Sequence, residues 1–181
     1  AVLVALLLGI PLGCIAAMHR GKFLDNLISV ISTCGIAVPS FVICTVLMYF
    51  LGVHLKILPT YGLTSWKHYV MPVMALSFYP MAYIMRLMRS SMLDVLGQDY
   101  MRTCKAKGVS QAVSIFKHAL RNAILPVITY VGPMLAYTLT GSFVVEKIFT
   151  IPGLGGEFIG SISSRDYTVI MGTTIFLATL L

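Results

Sequence analysis

Charge is what this sequence has least of. Only 10% of its 181 residues are Asp, Glu, Lys or Arg, against roughly 25% in an ordinary soluble domain. A water-facing surface needs about a quarter to a third of its positions charged, so a soluble enzyme and a soluble nucleic-acid-binding domain are both excluded. Acid is scarcer than base: six Asp and Glu stand against thirteen Lys and Arg, leaving a net charge of +7. Membrane proteins collect Lys and Arg on cytoplasmic loops, which accounts for that balance without nucleic acid. Cys14, Cys34, Cys44 and Cys104 have no C-x2-C spacing, so redox and metal motifs are missing and the four read as small buried apolar residues. His19, His54, His68 and His118 have no metal spacing either, and no metal is assigned. No G-x4-G-K-[S/T] occurs, so any nucleotide hydrolysis belongs to a partner.

What is present in quantity is apolar: 58% of residues, with a mean hydropathy of +0.91. Stretches free of Asp, Glu, Lys and Arg cover 1–19, 26–55, 68–85, 122–145 and 167–181. A helix of roughly 20 apolar residues crosses a hydrocarbon core about 30 Å thick, and it can do so because its backbone is hydrogen-bonded internally. These runs predict spans near 1–18, 27–51, 69–88, 124–145 and 168–181. The first opens inside an apolar run without Met or a basic flank, so it is not read as a signal peptide. The last is short and unflanked. Both ends predict a fragment of a longer membrane protein. The fold class expected is all-α: a polytopic membrane helix bundle with five spans, residues 1–181 forming one transmembrane domain.

Orientation follows from the basic residues. Segments 19–26 and 86–122 carry nine, among them Arg20, Lys22, Arg86 and Arg89, whereas 52–68 and 146–167 carry Lys56, Lys67, Lys147 and Arg165. The first pair of segments is therefore cytoplasmic. Pro11, Pro39, Pro72, Pro80, Pro126 and Pro133 fall inside spans, which reads either as broken helices around a pathway or as ordinary kinked packing. Gly9 and Gly13 have the spacing that lets helices approach closely. No span interior holds a charged residue, which disfavours a channel or ion-coupled carrier. No acid, base and nucleophile meet at membrane depth, which disfavours an integral membrane enzyme. Ser40, Tyr79, Tyr83, Tyr130 and Tyr137 are candidates to line a neutral pathway, or else they make interhelical hydrogen bonds. The lone Trp66, near Tyr61 and Tyr69, suits the aromatic belt at the membrane boundary.

Segment 86–122 is too apolar and periodic to be a slack linker. Asp99 is placed to cap a short helix running to Lys107, and Gly108 sits where such a helix ends in the left-handed conformation. Ser110 opens a second helix in which Val113, Phe116, Leu120 and Ile124 form one stripe. Arg102, Lys105 and Lys107 make a basic rim. Docking on a soluble partner and lying on anionic lipid both fit this pattern.

The stretch DYMRTCKAKGVSQAVSIFKHALRNAILPVI resembles the cytoplasmic loop of permease subunits from ABC importers of the oligopeptide/dipeptide class. EKIFTIPGLGGEFIGSISSRDY resembles the extracytoplasmic loop of the same subunits, and GIAVPSF at 35–41 and LRNAILPVITYVGP at 120–133 fit the same group. The resemblance covers essentially the whole chain. It implies a type I ABC importer transmembrane domain, the five spans being the second to sixth of six, in the inner (plasma) membrane of a prokaryotic cell. Such a subunit is not an enzyme. Its partners are a second homologous permease, two ABC ATPases that bind ATP and Mg, an extracytoplasmic solute-binding protein and the lipid bilayer, with no nucleic acid and no cofactor in the chain itself.

In that family the loop holds the EAA motif, whose short helix fits a groove in the ATPase. Arg102, Thr103 and Cys104 stand where Glu-Ala-Ala stands, and Gly108 matches the motif's Gly. The acid is replaced by Arg, and Leu125-Pro126 lies farther from Gly108 than in the shortest form. Peptide permeases show an Arg-x-x-(Arg/Lys)-Ala-Lys-Gly variant here, so the resemblance assigns ATPase docking to Arg102, Thr103, Cys104, Lys105, Ala106, Lys107, Gly108 and Val109. The outer loop, 146–167, contains Pro152, Gly153, Leu154 and Gly155, and either re-enters the translocation mouth to touch the binding protein or caps the bundle as a turn. The substrate implied is an oligopeptide or dipeptide, with a nickel chelate, glutathione or another small solute as the alternative.

Overall fold

Charge-free apolar runs fold into helix because only helix satisfies its own backbone away from water. In the computed structural model, which describes residues 1–180, every regular element is helical. In chain order these are α1 (Val2–Met18), α2 (Phe23–Ala37), α3 (Ser40–Leu47) running on as a π-helix over Met48–His54, α4 (Lys67–Leu96), α5 (Asp99–Ala106), α6 (Gln111–Val113), a second π-helix (Ser114–Ala119), α7 (Leu120–Ala123), α8 (Leu125–Leu139), α9 (Phe143–Phe149), α10 (Leu154–Ser164) and α11 (Tyr167–Leu180).

The expected spans each have helical counterparts, with corrected boundaries. Among the described residues α4 alone is long and apolar enough to cross a membrane, or up to three spans do so if each bent helix pair is counted as one. The run 27–51 is broken at Val38-Pro39, where Pro39 takes ψ 145°. A residue before proline is pushed out of the helical region, so the break is dictated locally. The predicted 124–145 span stops at Leu139, and α9 forms beyond Gly141. The predicted 69–88 span continues without interruption to Leu96, giving about 45 Å of helix. The first eleven residues assigned to the loop, 86–96, are therefore the end of α4. Val2–Met18 and Tyr167–Leu180 are shorter apolar helices.

The chain forms two compact units. One contains Ala1–Val2, Ala37–Pro80 and the residues from Gly132 onward. Its core is Cys44, Met71, Ala75, Val145 and Phe149, with Leu47, Leu51 and Ile148 packed around them. The other contains Leu3–Ile36 and Met81–Val131. There α1 buries a stripe of small residues, Ala5, Gly9, Gly13, Ala16 and Ala17, against Ile84, Met85 and Met88 of α4. A Cβ on Gly9 would lie 2.8 Å from Ile84 Cγ2, and one on Gly13 only 2.7 Å from the Met85 carbonyl oxygen. In lipid, helices associate by close packing rather than by escape from water, so these glycines set how near the two backbones come. The spacing read from sequence is a real contact face.

Candidate functional site

The predicted helix–glycine–helix is present in the second unit, with its details shifted by a residue. Helix α5 runs Asp99–Ala106 with Gln98 as its N-cap, so Asp99 is the first helical residue rather than the cap. Its carboxylate still lies at the positive end of the helix dipole, with Lys105 in the last turn at the negative end. Lys107 closes the helix, its N–H donating to the Thr103 carbonyl at 3.0 Å, and Val109 N–H donates to the Cys104 carbonyl at 3.1 Å. Gly108 has φ +72° with no atom within 4 Å of a Cβ built on it. The requirement there is one of backbone conformation, not of space.

Arg102, Thr103, Lys105, Ala106, Lys107 and Gly108 are exposed, and Cys104 and Val109 half-buried. Met101 anchors the helix from below, at 8% exposure, and Asn122 Nδ2 donates to Tyr100 Oη at 2.9 Å. The contact of Arg102 with Asp99 at 3.4 Å joins two side chains that are largely in solvent, so it contributes little. Behind α5 lies a cleft of about 600 Å³ lined by Met18, Leu96, Met101, Val109 and Ile115, with Arg102 and Lys105 at its edge.

The second half of the segment departs from expectation. Ser110 does precede the next helix but makes no side-chain cap bond. Val113 and Phe116 are exposed, and Leu120 and Ile124 only half-buried; the buried stripe is Ile115, Ala119, Ala123 and Val127. These recur every four residues through a π-helical stretch, which changes the periodicity from which the face was read. The small Ala119 and Ala123 also pack closer than Phe116 could.

In the first unit, the segment read as an outer loop is a helical corner. Helix α9 ends at Thr150, which takes φ 54°. Pro152 and Gly153 follow, and Leu154 and Gly155 begin α10. Gly153 is the N-cap and has no side chain to cap with. The cap comes from α9: Gly156 N–H donates to Glu146 Oε2 at 2.7 Å, and Glu146 is 9% exposed. Its backbone carbonyl also accepts from Ile151 N–H at 2.8 Å. A carboxylate at a helix N-terminus satisfies an orphan donor and the dipole together, each cap contributing about 1 kcal/mol. Beside it, Lys147 Nζ sits 5.4 Å from the Phe143 ring centroid. A groove of about 670 Å³ runs past Lys147, Thr150, Pro152 and Ser163.

Against this geometry, residues 9–181 match the family of binding-protein-dependent transport system inner membrane components. The chain belongs to that family. It is 51% identical, over 181 residues, to a dipeptide transport system permease protein DppB of Bacillus subtilis (strain 168), covering 100% of this chain and 59% of that protein. It is 44% identical to the DppB of Lactococcus lactis subsp. cremoris (strain MG1363), covering 98% and 60%. A glutathione transport system permease protein GsiC of Escherichia coli (strain K12) is 43% identical, covering 92% and 54%. The chain thus spans less than two thirds of the length of these relatives.

For a multi-pass inner membrane component of this kind, the hydroxyl candidates divide between the two units. In the second, Tyr83 and Tyr130 come together, their ring centroids 4.5 Å apart. In the first lie Ser40, at the start of α3, with Tyr79 and Tyr137, 49% and 62% exposed. Three charged residues matter in the structure beyond what the sequence reading gives them. Glu146 enters the sequence reading only as a loop boundary, although an acid four residues before Thr-Ile-Pro-Gly in a charge-poor chain is a signal. Arg89 enters the sequence reading only among the basic residues of 86–122, and Asp25 is not singled out there. Asp25 is 2% exposed; Arg89 Nε donates to its Oδ1 and Nη2 to its Oδ2, the latter at 2.8 Å, and Gly21 N–H donates to Oδ2 at 2.8 Å.

Proposed function

We propose that this chain forms half of the translocation pathway of an ATP-driven importer for dipeptides or oligopeptides, delivered by an extracytoplasmic binding protein. The observation that carries the reading is an exposed short helix, Asp99–Ala106, ended by a left-handed Gly108, in a chain 51% identical along its own length to part of a dipeptide permease. Two ATPase subunits receive this helix and its twin on a second, homologous permease. ATP draws the ATPases together, the docked helices follow, and the spans turn outward to accept the peptide; hydrolysis restores the inward-facing state. Arg102 to Val109 carry the displacement, since a helix with both ends closed moves as a body. Lys105 and Lys107 add attraction to the ATPase surface, each contributing under about 1 kcal/mol while exposed. Hydrolysis and the ATP–Mg site belong to the partner.

A glutathione permease at 43% identity favours a second substrate reading, in which the binding protein, not these spans, chooses the solute. Crosslinking tests the first reading. A cysteine at Lys107 in membranes holding the candidate ATPase should give a specific crosslink whose yield changes with ATP. The same cysteine shielded by lipid and never crosslinked would refute it. Uptake of a labelled dipeptide against labelled glutathione then separates the two substrates.

A further inference from the structure

We propose that Glu146 is the positioning residue of the extracytoplasmic corner: its carboxylate fixes α10 against α9 and so sets the conformation in which the loop meets the loaded binding protein. This rests on the importer reading above for its partner, but the geometry stands without it. The carboxylate is enclosed by backbone. A Cβ on Gly141 would collide with Oε1, one on Gly153 would lie 2.5 Å from Cδ, and one on Gly155 would lie 3.0 Å from Oε2 and 2.6 Å from the Phe143 nitrogen. Four glycines within the corner, counting Gly156 as donor, leave room for this side chain and for little else.

The chain around it is held in a costly conformation. Thr150 is β-branched yet has φ 54°, a region such residues avoid, and it persists only where neighbouring contacts over-determine it. The contacts come from Glu146. Its carbonyl accepts from Thr150 and Ile151, and its side chain accepts from Gly156. One residue thus ties both ends of the Thr150–Gly155 turn. Among the described residues no cation lies within ion-pair distance of Glu146, so α10 itself supplies the compensating positive end.

The test uses the full transporter reconstituted with its ATPases and binding protein, comparing wild type with Glu146→Gln and Glu146→Ala. Two quantities are read: hydrogen exchange of amides 150–157, and the concentration of loaded binding protein giving half-maximal ATPase stimulation. Glu146→Ala should speed exchange at 150–157 at least tenfold while leaving 99–106 unchanged. It should raise the half-saturating concentration about tenfold with little change in the maximal rate. Glu146→Gln keeps an acceptor but not the charge, and should fall between. Unchanged exchange overturns the proposal, as does a lower maximal rate at unchanged half-saturation. Should Glu146→Ala fail to assemble, Glu146→Gln decides by the same criteria. A wild type not stimulated by any loaded binding protein would sink the importer reading instead, and the exchange data would still decide the role of Glu146.

Discussion

Removing the Arg89 guanidinium should destabilise the second unit, because it leaves the Asp25 carboxylate buried with its main partner gone. Asp25 is 2% exposed and Arg89 31% exposed, so the acid has no route to water that would replace the lost bonds. Breaking a buried pair by deleting one member costs about 3–5 kcal/mol in proteins generally. Here Gly21 N–H still serves Oδ2, which lowers the figure. Arg89→Ala should then lose about 2–3 kcal/mol, or roughly 5–10 °C in thermal midpoint. Far-UV circular dichroism of the protein in detergent reads this directly. Arg89→Lys keeps the charge without the fork and should fall between. A midpoint within a degree of wild type would refute the reasoning.

Gly13→Val should separate α1 from α4, since its Cβ would meet the Met85 carbonyl and Met88 Cβ at 2.7 Å and backbone cannot yield as a side chain tip can; a loss of about 1–3 kcal/mol should appear in the same melting assay. Gly108→Val should uncouple ATP hydrolysis from uptake without lowering the melting midpoint by more than a few degrees, since the cost is a strained left-handed residue of about 1–2 kcal/mol. Gly108→Asn, which tolerates that conformation, should retain most uptake, and equal defects in the two variants would count against a conformational role.

Legibility followed the range over which each feature is decided. The left-handed Gly108 and the end of α5 depend on a few neighbouring residues, and both were readable from Asp99 to Val109. The Gly9–Gly13 face depended on one spacing and was readable too. The length of α4 was not, because Arg86 and Arg89 looked like the end of a span, whereas Arg89 turns back to a partner 64 residues away. The buried face beyond Ser110 was misread because a π-helical stretch changes the period that a stripe of Val113, Phe116, Leu120 and Ile124 assumes. Glu146 was missed for a further reason: its cap acts across ten residues, while cap signals are sought next to the helix they serve.

The placement of acid in this chain also separates fixed corners from a movable one. Of the six Asp and Glu residues, Asp25 and Glu146 are buried while Asp94, Asp99, Glu157 and Asp166 are exposed. Each buried acid accepts a glycine N–H at a bend between helices, Gly21 for Asp25 and Gly156 for Glu146. Burying charge in so apolar a molecule is unfavourable unless every lone pair is well served, so these two acids stand where a bend must hold one geometry. The bend at Gly108 has no such device. It is bounded by exposed Lys107 and half-buried Val109, with open space where a side chain would be. A bend that keeps its shape through backbone conformation alone can change its angle to the following helix without breaking a buried pair. That property is the one a force-transmitting helix needs at its trailing end, and the segment proposed to dock on the ATPase has it.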